Sequence, residues 1–138
     1  TAFQALFTGG HTSALGNVGK GSKVVVLGGP TAVGAHAIQL AAACGAEVFT
    51  TASKNQMPSG QSKIDFCKEL GATVFNYKEV DWSEELKGHN VELIFDCGGD
   101  NKDWLNASKV LAPGGRFLTV SNMAPDPPEM DGRPCEFF

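Results

Sequence analysis

Val24-Val25-Val26-Leu27-Gly28-Gly29-Pro30-Thr31-Ala32-Val33-Gly34-Ala35-His36-Ala37-Ile38-Gln39-Leu40 is the stretch that decides the fold. Four apolar residues in a row, three of them β-branched, suit a parallel strand covered on both faces. Gly28 and Gly29 then let the backbone turn without a Cβ clash. The following helix opens with Ala32, Val33, Gly34 and Ala35, side chains small enough to lie close to a strand. Its N-terminus aims unpaired N–H groups at the turn, a ready site for an anion such as a nucleotide phosphate. Many buried strands end in a glycine turn, so function must be read from the surroundings.

Upstream, Thr1 can cap a short helix with Phe3, Leu6 and Phe7 on one face, and Gly9-Gly10 ends it. A glycine-rich loop through Ser22 leads to the first strand. Downstream, Gly45 fits a left-handed C-cap and Ala46–Thr51 a second strand. A long polar connection follows, Ala52–Ser62, with Pro58-Ser59-Gly60 as its turn signal. Ser62 with Asp65 resembles a capping box for a helix carrying Ile64, Cys67, Lys68 and Leu70 on one stripe, closed by Gly71. Thr73–Phe75 is a third strand, and Asp81 caps a brief helix ending at Lys87-Gly88. Val91–Phe95 is a fourth strand that delivers Asp96 at its carboxyl end. Asp100 or Asn101 caps a helix through Leu111; Pro113-Gly114 suits a type II turn, and Arg116–Val120 is a fifth strand. Met123–Pro134 carries four prolines and reads as a loop, after which Cys135–Phe138 begins a strand.

Strand and helix alternate at short spacing, which predicts an α/β fold: a doubly wound parallel sheet of Rossmann type. The expected strand order is 3-2-1-4-5, with a truncated sixth strand at the end. All 138 residues are expected to form a single dinucleotide-binding domain. Residues 1–22 are its lead-in helix and loop, 23–121 the βαβ core, and 122–138 a loop and the start of a final strand.

Composition narrows the function. A hydrophobic fraction of 42% and a charged fraction of 19% fit a globular protein with a real core. The net charge of −4 gives no electrostatic case for nucleic acid or an anionic membrane. No apolar run approaches the roughly 20 residues of a membrane helix, and none of the 138 residues reads as a secretory signal. The cysteines at 44, 67, 97 and 135 form no Cys-x-x-Cys pair and no zinc pattern with a histidine. They read as reduced thiols in a cytoplasmic setting, with Cys44 and Cys67 packing helices. His36 reads as a satisfied helix histidine and Asp96 as structural. Cys97, beside the expected cleft, is either a reactive thiol or a small residue near a nicotinamide ribose.

Several motifs, in order from end to end, resemble those of the medium-chain dehydrogenase/reductases. Thr1-Ala2-Phe3-Gln4-Ala5-Leu6 resembles their T-A-x-x-A-L lead-in helix. Gly28–Gly34 with Ala37-Ile38-Gln39-Leu40-Ala41 is similar to their G-A-x-G-G-V-G-x-x-A-x-Q-L-A. Lys68-Glu69-Leu70-Gly71-Ala72 with Asn76-Tyr77, Asp96-Cys97-Gly98-Gly99, and Leu111–Phe117 complete the series. The nearest branch is the zinc-free quinone and enoyl reductases, the zeta-crystallin-like group. The resemblance implies an NADP(H)-binding domain of an oxidoreductase passing hydride to a quinone, enone or enoyl thioester. It also implies a split catalytic domain flanking this one and outside this sequence, so the isolated chain is expected to turn over no substrate. The implied partners are the dinucleotide, a small-molecule substrate of the full-length protein and a second copy in a homodimer.

The dinucleotide pattern Gly-x-Gly-x-x-Gly is here Gly29-Pro30-Thr31-Ala32-Val33-Gly34. Thr31 replaces the glycine that lets backbone approach the pyrophosphate, and its hydroxyl is expected to compensate by donating to a phosphate oxygen. An NAD site wants an acid at the end of the second strand, yet Thr50-Thr51-Ala52-Ser53-Lys54 has none. By resemblance, Ser53, Lys63 and Tyr77 fall where the reductase branch holds a 2′-phosphate, and Lys54 is a further candidate. The expected cofactor contacts are Gly29, Pro30, Thr31, Ala32, Val33, Ser53, Lys54, Lys63, Tyr77, Cys97, Gly98 and Ser121. No catalytic or metal-binding residue is expected. Two alternatives stand beside this reading: a non-catalytic family member with a degenerate loop, and, more remotely, a methyltransferase.

Overall fold

The computed structural model describes residues 1–7, 18–98, 103–120 and 135–137. The all-apolar run of the first strand has the environment it requires. In β1 (Lys23–Leu27), Val24 and Val26 enter one apolar layer while Val25 and Leu27 enter another. Alternate side chains of a strand point to opposite faces, so both faces of this one are covered.

The first layer holds α1 (Ala2–Phe7), α2 (Ala32–Ala43) and α3 (Lys63–Glu69), with Leu6, Ile38 and Cys67 buried against Val24, Val26 and Phe95. The second holds α4 (Trp82–Glu85) and α5 (Asp103–Val110), with Trp82, Leu86 and Val110 against Val25, Leu27 and Phe117. Between them, β2 (Glu47–Ala52), β3 (Thr73–Asn76), β4 (Val91–Asp96), β5 (Leu111–Thr119) and β6 (Cys135–Phe137) complete a sheet of order β3-β2-β1-β4-β5-β6. Every pairing is parallel. The expected order is therefore found, and a sixth strand is present beside β5. Among the described residues, no helix is long and apolar enough to cross a membrane.

The caps follow local chemistry. Thr31, Ser62 and Asp81 each accept a first-turn amide with a side-chain oxygen, from Gly34, Asp65 and Ser83. Gly45 and Gly71 take positive φ after α2 and α3.

Three local expectations change. Phe3 is exposed, and α1 buries Ala2, Ala5 and Leu6 instead. A close approach of α1 to the small-residue helix α2 favours the narrow alanine face, and Phe3 packs edge-on against Phe7 with ring centroids 5.2 Å apart. Cys44 is exposed at the C-cap of α2, whereas Cys67 is fully buried as expected. Leu111 is not helical: it already pairs with Val91, and Leu93 pairs with Arg116. The Pro113-Gly114 turn is thus a bulge inside β5, with Gly114 at φ 78°. Gly9-Gly10, Gly99, the Asp100/Asn101 cap and the 123–134 loop lie outside the described residues.

Candidate functional site

Going along the chain, β1, β2 and β3 step outward, and then β4 returns to the other side of β1. The crevice between the carboxyl ends of β1 and β4 is where open α/β sheets bind ligands. Those ends are in register at Leu27 and Asp96. The loops beyond them touch. A Cβ on Gly28, already at φ 80°, would sit 2.9 Å from the Gly98 amide nitrogen. A Cβ on Gly98 would come 3.0 Å from Thr31 Cγ2. The glycines therefore let two loops close over the strand ends and leave backbone on the surface.

Beside them opens a cavity of about 860 Å³. Gly28, Pro30 and Thr31 form its β1 side, and Thr51, Ala52 and Ser53 its β2 side. Lys63 contributes from α3, Tyr77 to Trp82 from the segment after β3, and Gly98, Asp103 and Asn106 from the β4–α5 side. Of the expected contacts, Pro30, Thr31, Ser53, Lys63, Tyr77 and Gly98 meet here. Ala32 and Val33 form the first turn of α2, whose N–H groups have no helical carbonyl behind them. Such a cradle of glycine loops and a helix N-terminus suits the pyrophosphate of a dinucleotide.

Other expected contacts sit elsewhere. Gly29 is buried; a Cβ there would collide with Thr50 Oγ1 and come 3.0 Å from both Cys67 Sγ and Ile38 Cδ1. It faces the core and permits packing. Lys54 points to Glu79, with Nζ 2.7 Å from Oε1. Cys97 is buried and does not line the cavity, its thiol turned toward the Phe95 carbonyl at 3.9 Å. Ser121 lies outside the described residues.

Thr31 also serves its own loop. Its hydroxyl donates to the Gly28 carbonyl at 2.7 Å and accepts from the Gly34 amide at 3.1 Å. The hydroxyl thus shapes the turn and caps α2. Its methyl group lies against Gly98.

Asp96 is structural, as expected. Fully buried, it accepts from Thr119 Oγ1 at 2.9 Å and from the Gly98 amide at 3.3 Å, tying the Gly98 loop to β5. His36 bonds the Ala32 carbonyl at 2.7 Å through Nδ1, a helix-satisfied role.

Burial stands against the reactive-thiol alternative for Cys97. Burial, and next the Asp96 charge, push its pKa far above the ordinary thiol range, so it stays a neutral thiol. Burial likewise raises Cys67 to about 11. Iodoacetamide at mildly alkaline pH should label exposed Cys44 quickly and leave Cys67 and Cys97 unmodified until the protein unfolds. Peptide mapping by mass spectrometry reads this, and labelling of Cys97 as fast as Cys44 would contradict it. A raised folded pKa also sets a sign: the Cys67 contribution is full below the unfolded thiol pKa and is lost as pH rises through about 11.

Of the segment after β3, sequence reasoning named only Tyr77 and missed Lys78, Glu79, Asp81 and Trp82, which it also supplies to the wall. Beside Glu79, which meets Lys54, two more of its members are engaged: Asp81 accepts from Ser83 Oγ at 2.6 Å, which holds its carboxyl below the ordinary range, and Trp82 Nε1 donates to Asp103 at 3.3 Å. The available signal was topological. In a parallel sheet every strand delivers its carboxyl end to the same edge, so the residues after β3 had to face the same crevice as those after β2.

The comparisons with known proteins agree with this geometry. A family model described as zinc-binding dehydrogenase matches residues 32–136. The chain is 32% identical over 148 residues to dehydrogenase azaJ of Aspergillus niger, covering 99% of this chain and 40% of that protein. Among solved structures it is similar to the quinone oxidoreductase from Coxiella burnetii, with TM-score 0.76 and 28% identity over all of this chain and 40% of that one. It is also similar to CurK enoyl reductase, with TM-score 0.74 and 26% identity over 99% of this chain and 40% of that one. The chain belongs to the zinc-binding dehydrogenase family of medium-chain dehydrogenase/reductases and corresponds to their cofactor-binding part. Among the described residues, no group of three or more His, Cys, Asp or Glu side chains is placed to hold a metal ion. They offer no donor set for the metal in the family's name.

Proposed function

We propose that this chain is a single NADPH-binding domain of an oxidoreductase that transfers hydride to a quinone, an enone or an enoyl thioester. The bound cofactor supplies the hydride. The chain's own residues bind and orient it: the Gly28–Gly98 contact and the α2 N-terminus receive the pyrophosphate, and Asp96 holds the Gly98 loop in place. The substrate classes are supported by the likeness to a quinone oxidoreductase and an enoyl reductase.

One observation carries the choice of NADPH. Ser53, Lys63 and Tyr77 all line this cavity, and Thr50, Thr51 and Ala52, which end β2, include no carboxylate. A carboxylate at that position would repel a 2′-phosphate, whereas a cation and hydroxyls suit it. Charge-assisted hydrogen bonds are worth roughly 1.5–3 kcal/mol each. Screening at an open site puts them at the low end. Two such contacts favour NADPH over NADH by on the order of a hundredfold. Lys63→Ala should weaken NADPH by roughly tenfold and leave NADH unchanged. Calorimetric titration of both cofactors against the wild type and this variant is the test. Equal affinity of the wild type for NADH and NADPH would remove the assignment.

A further inference from the structure

Building on that 2′-phosphate assignment, we infer that Glu79 is a specificity-determining residue: it holds Lys54 and cancels its charge at the rim of the cavity, and so sets how strongly NADPH is preferred.

Two lysines stand at the feet of one small hairpin. After β2, Gln56 and Ser62 form an antiparallel bridge, and the Met57 amide donates to the Gln61 carbonyl at 2.7 Å. The Gly60 amide closes the tip on the Met57 carbonyl at 2.9 Å. At the base, the Lys63 amide donates to the Asn55 carbonyl at 2.8 Å, and the Asn55 amide donates to Ser53 Oγ at 3.3 Å. The hairpin thus brings Lys54 and Lys63, nine positions apart, to its two feet beside Ser53.

The two are not equivalent. Lys63 lines the cavity. Lys54 does not; its ammonium meets Glu79, which does line the cavity, and the two side chains remain 72% and 57% exposed. Such an exposed pair contributes little to stability. Its consequence is in charge. A carboxylate on the cavity wall opposes a 2′-phosphate, and Lys54 offsets that opposition while being held from the phosphate itself. The pair as a unit is neutral, and each partner alone is not.

The four members of a mutant cycle therefore have distinct expected outcomes. Glu79→Gln leaves a net positive charge at the rim and should tighten NADPH by on the order of fivefold. Lys54→Ala leaves a net negative charge and should weaken NADPH by about the same factor. The double variant restores neutrality and should bind NADPH nearly as the wild type does. NADH, which lacks the phosphate, should respond to none of them, and all differences should shrink at high salt. Both side chains are exposed, so unchanged melting temperatures should accompany the binding data.

The experiment is calorimetric titration of the full 138-residue chain and its three variants with NADPH and NADH at low and high salt. A wild type without NADPH preference overturns the function proposed above and this inference with it. A wild type that prefers NADPH, together with a Glu79→Gln variant of unchanged affinity or an equal shift for NADH, overturns the role of Glu79 alone.

Discussion

Gly34→Ala should destabilise the protein by about 3 kcal/mol, at the upper end of the usual cost of overpacking. Helix propensity alone gives the opposite sign, since alanine in a helix interior is favoured over glycine by about 1 kcal/mol. The close approach of α2 to β1 decides against propensity. A Cβ on Gly34 would collide with the Gly28 carbonyl oxygen and lie 2.9 Å from Thr31 Oγ1. The first is backbone and cannot rotate away. The second is the atom that caps the helix and bonds Gly28. Relief therefore requires the whole glycine turn to move. Thermal melting should show a drop on the order of 10 °C for a domain of this size. Gly19→Ala is the matched control, because a Cβ there meets nothing within 4 Å. A Gly34→Ala protein that melts with the wild type would refute the packing argument.

Asp96→Ala should cost a similar amount, about 3 kcal/mol, by leaving the partners of a buried carboxylate without an acceptor. Thr119 Oγ1 and the Gly98 amide both donate to it. Asp96→Asn keeps an acceptor oxygen of the same shape and should recover part of the loss. Gly98 lines the cavity, so loosening its loop should also weaken cofactor binding. That loss should be equal for NADPH and NADH, because Asp96 ends β4, on the far side of β1 from β2 and Ser53. Chemical denaturation combined with titration of both cofactors measures the two effects together. Loss confined to NADPH would contradict the positioning role, and unchanged stability would contradict the buried hydrogen bonds.

Much of the architecture was legible because its signals are short-range. The run Val24–Leu27 demands two apolar faces, and only a central parallel strand provides them. Ser62 and Asp81 precede helices because their side-chain oxygens reach amides two or three residues on. Gly45 and Gly71 mark helix ends through a backbone conformation that other residues resist. From those elements the alternation alone implied the sheet order, and the order implied the crevice.

What tertiary structure decided is which way each residue of that crevice faces and what it meets. Gly29 and Gly28 are neighbours of one type, yet one faces Thr50 and Ile38 in the core and the other faces Gly98. Thr31 read only as a ligand contact, and folding is what brings its hydroxyl within 2.7 Å of the Gly28 carbonyl. Lys54 and Glu79 are 25 positions apart, and no local pattern pairs them. They meet because β2 and β3 are adjacent and in register, with Ala52 opposite Asn76, so the segments leaving both strands converge. Sequence determined the strands, the caps and the edge of the sheet where a ligand belongs, since those depend on propensity and periodicity along the chain. The charge balance at that edge was set only by folding, because it depends on side chains that meet through the pairing of separate strands.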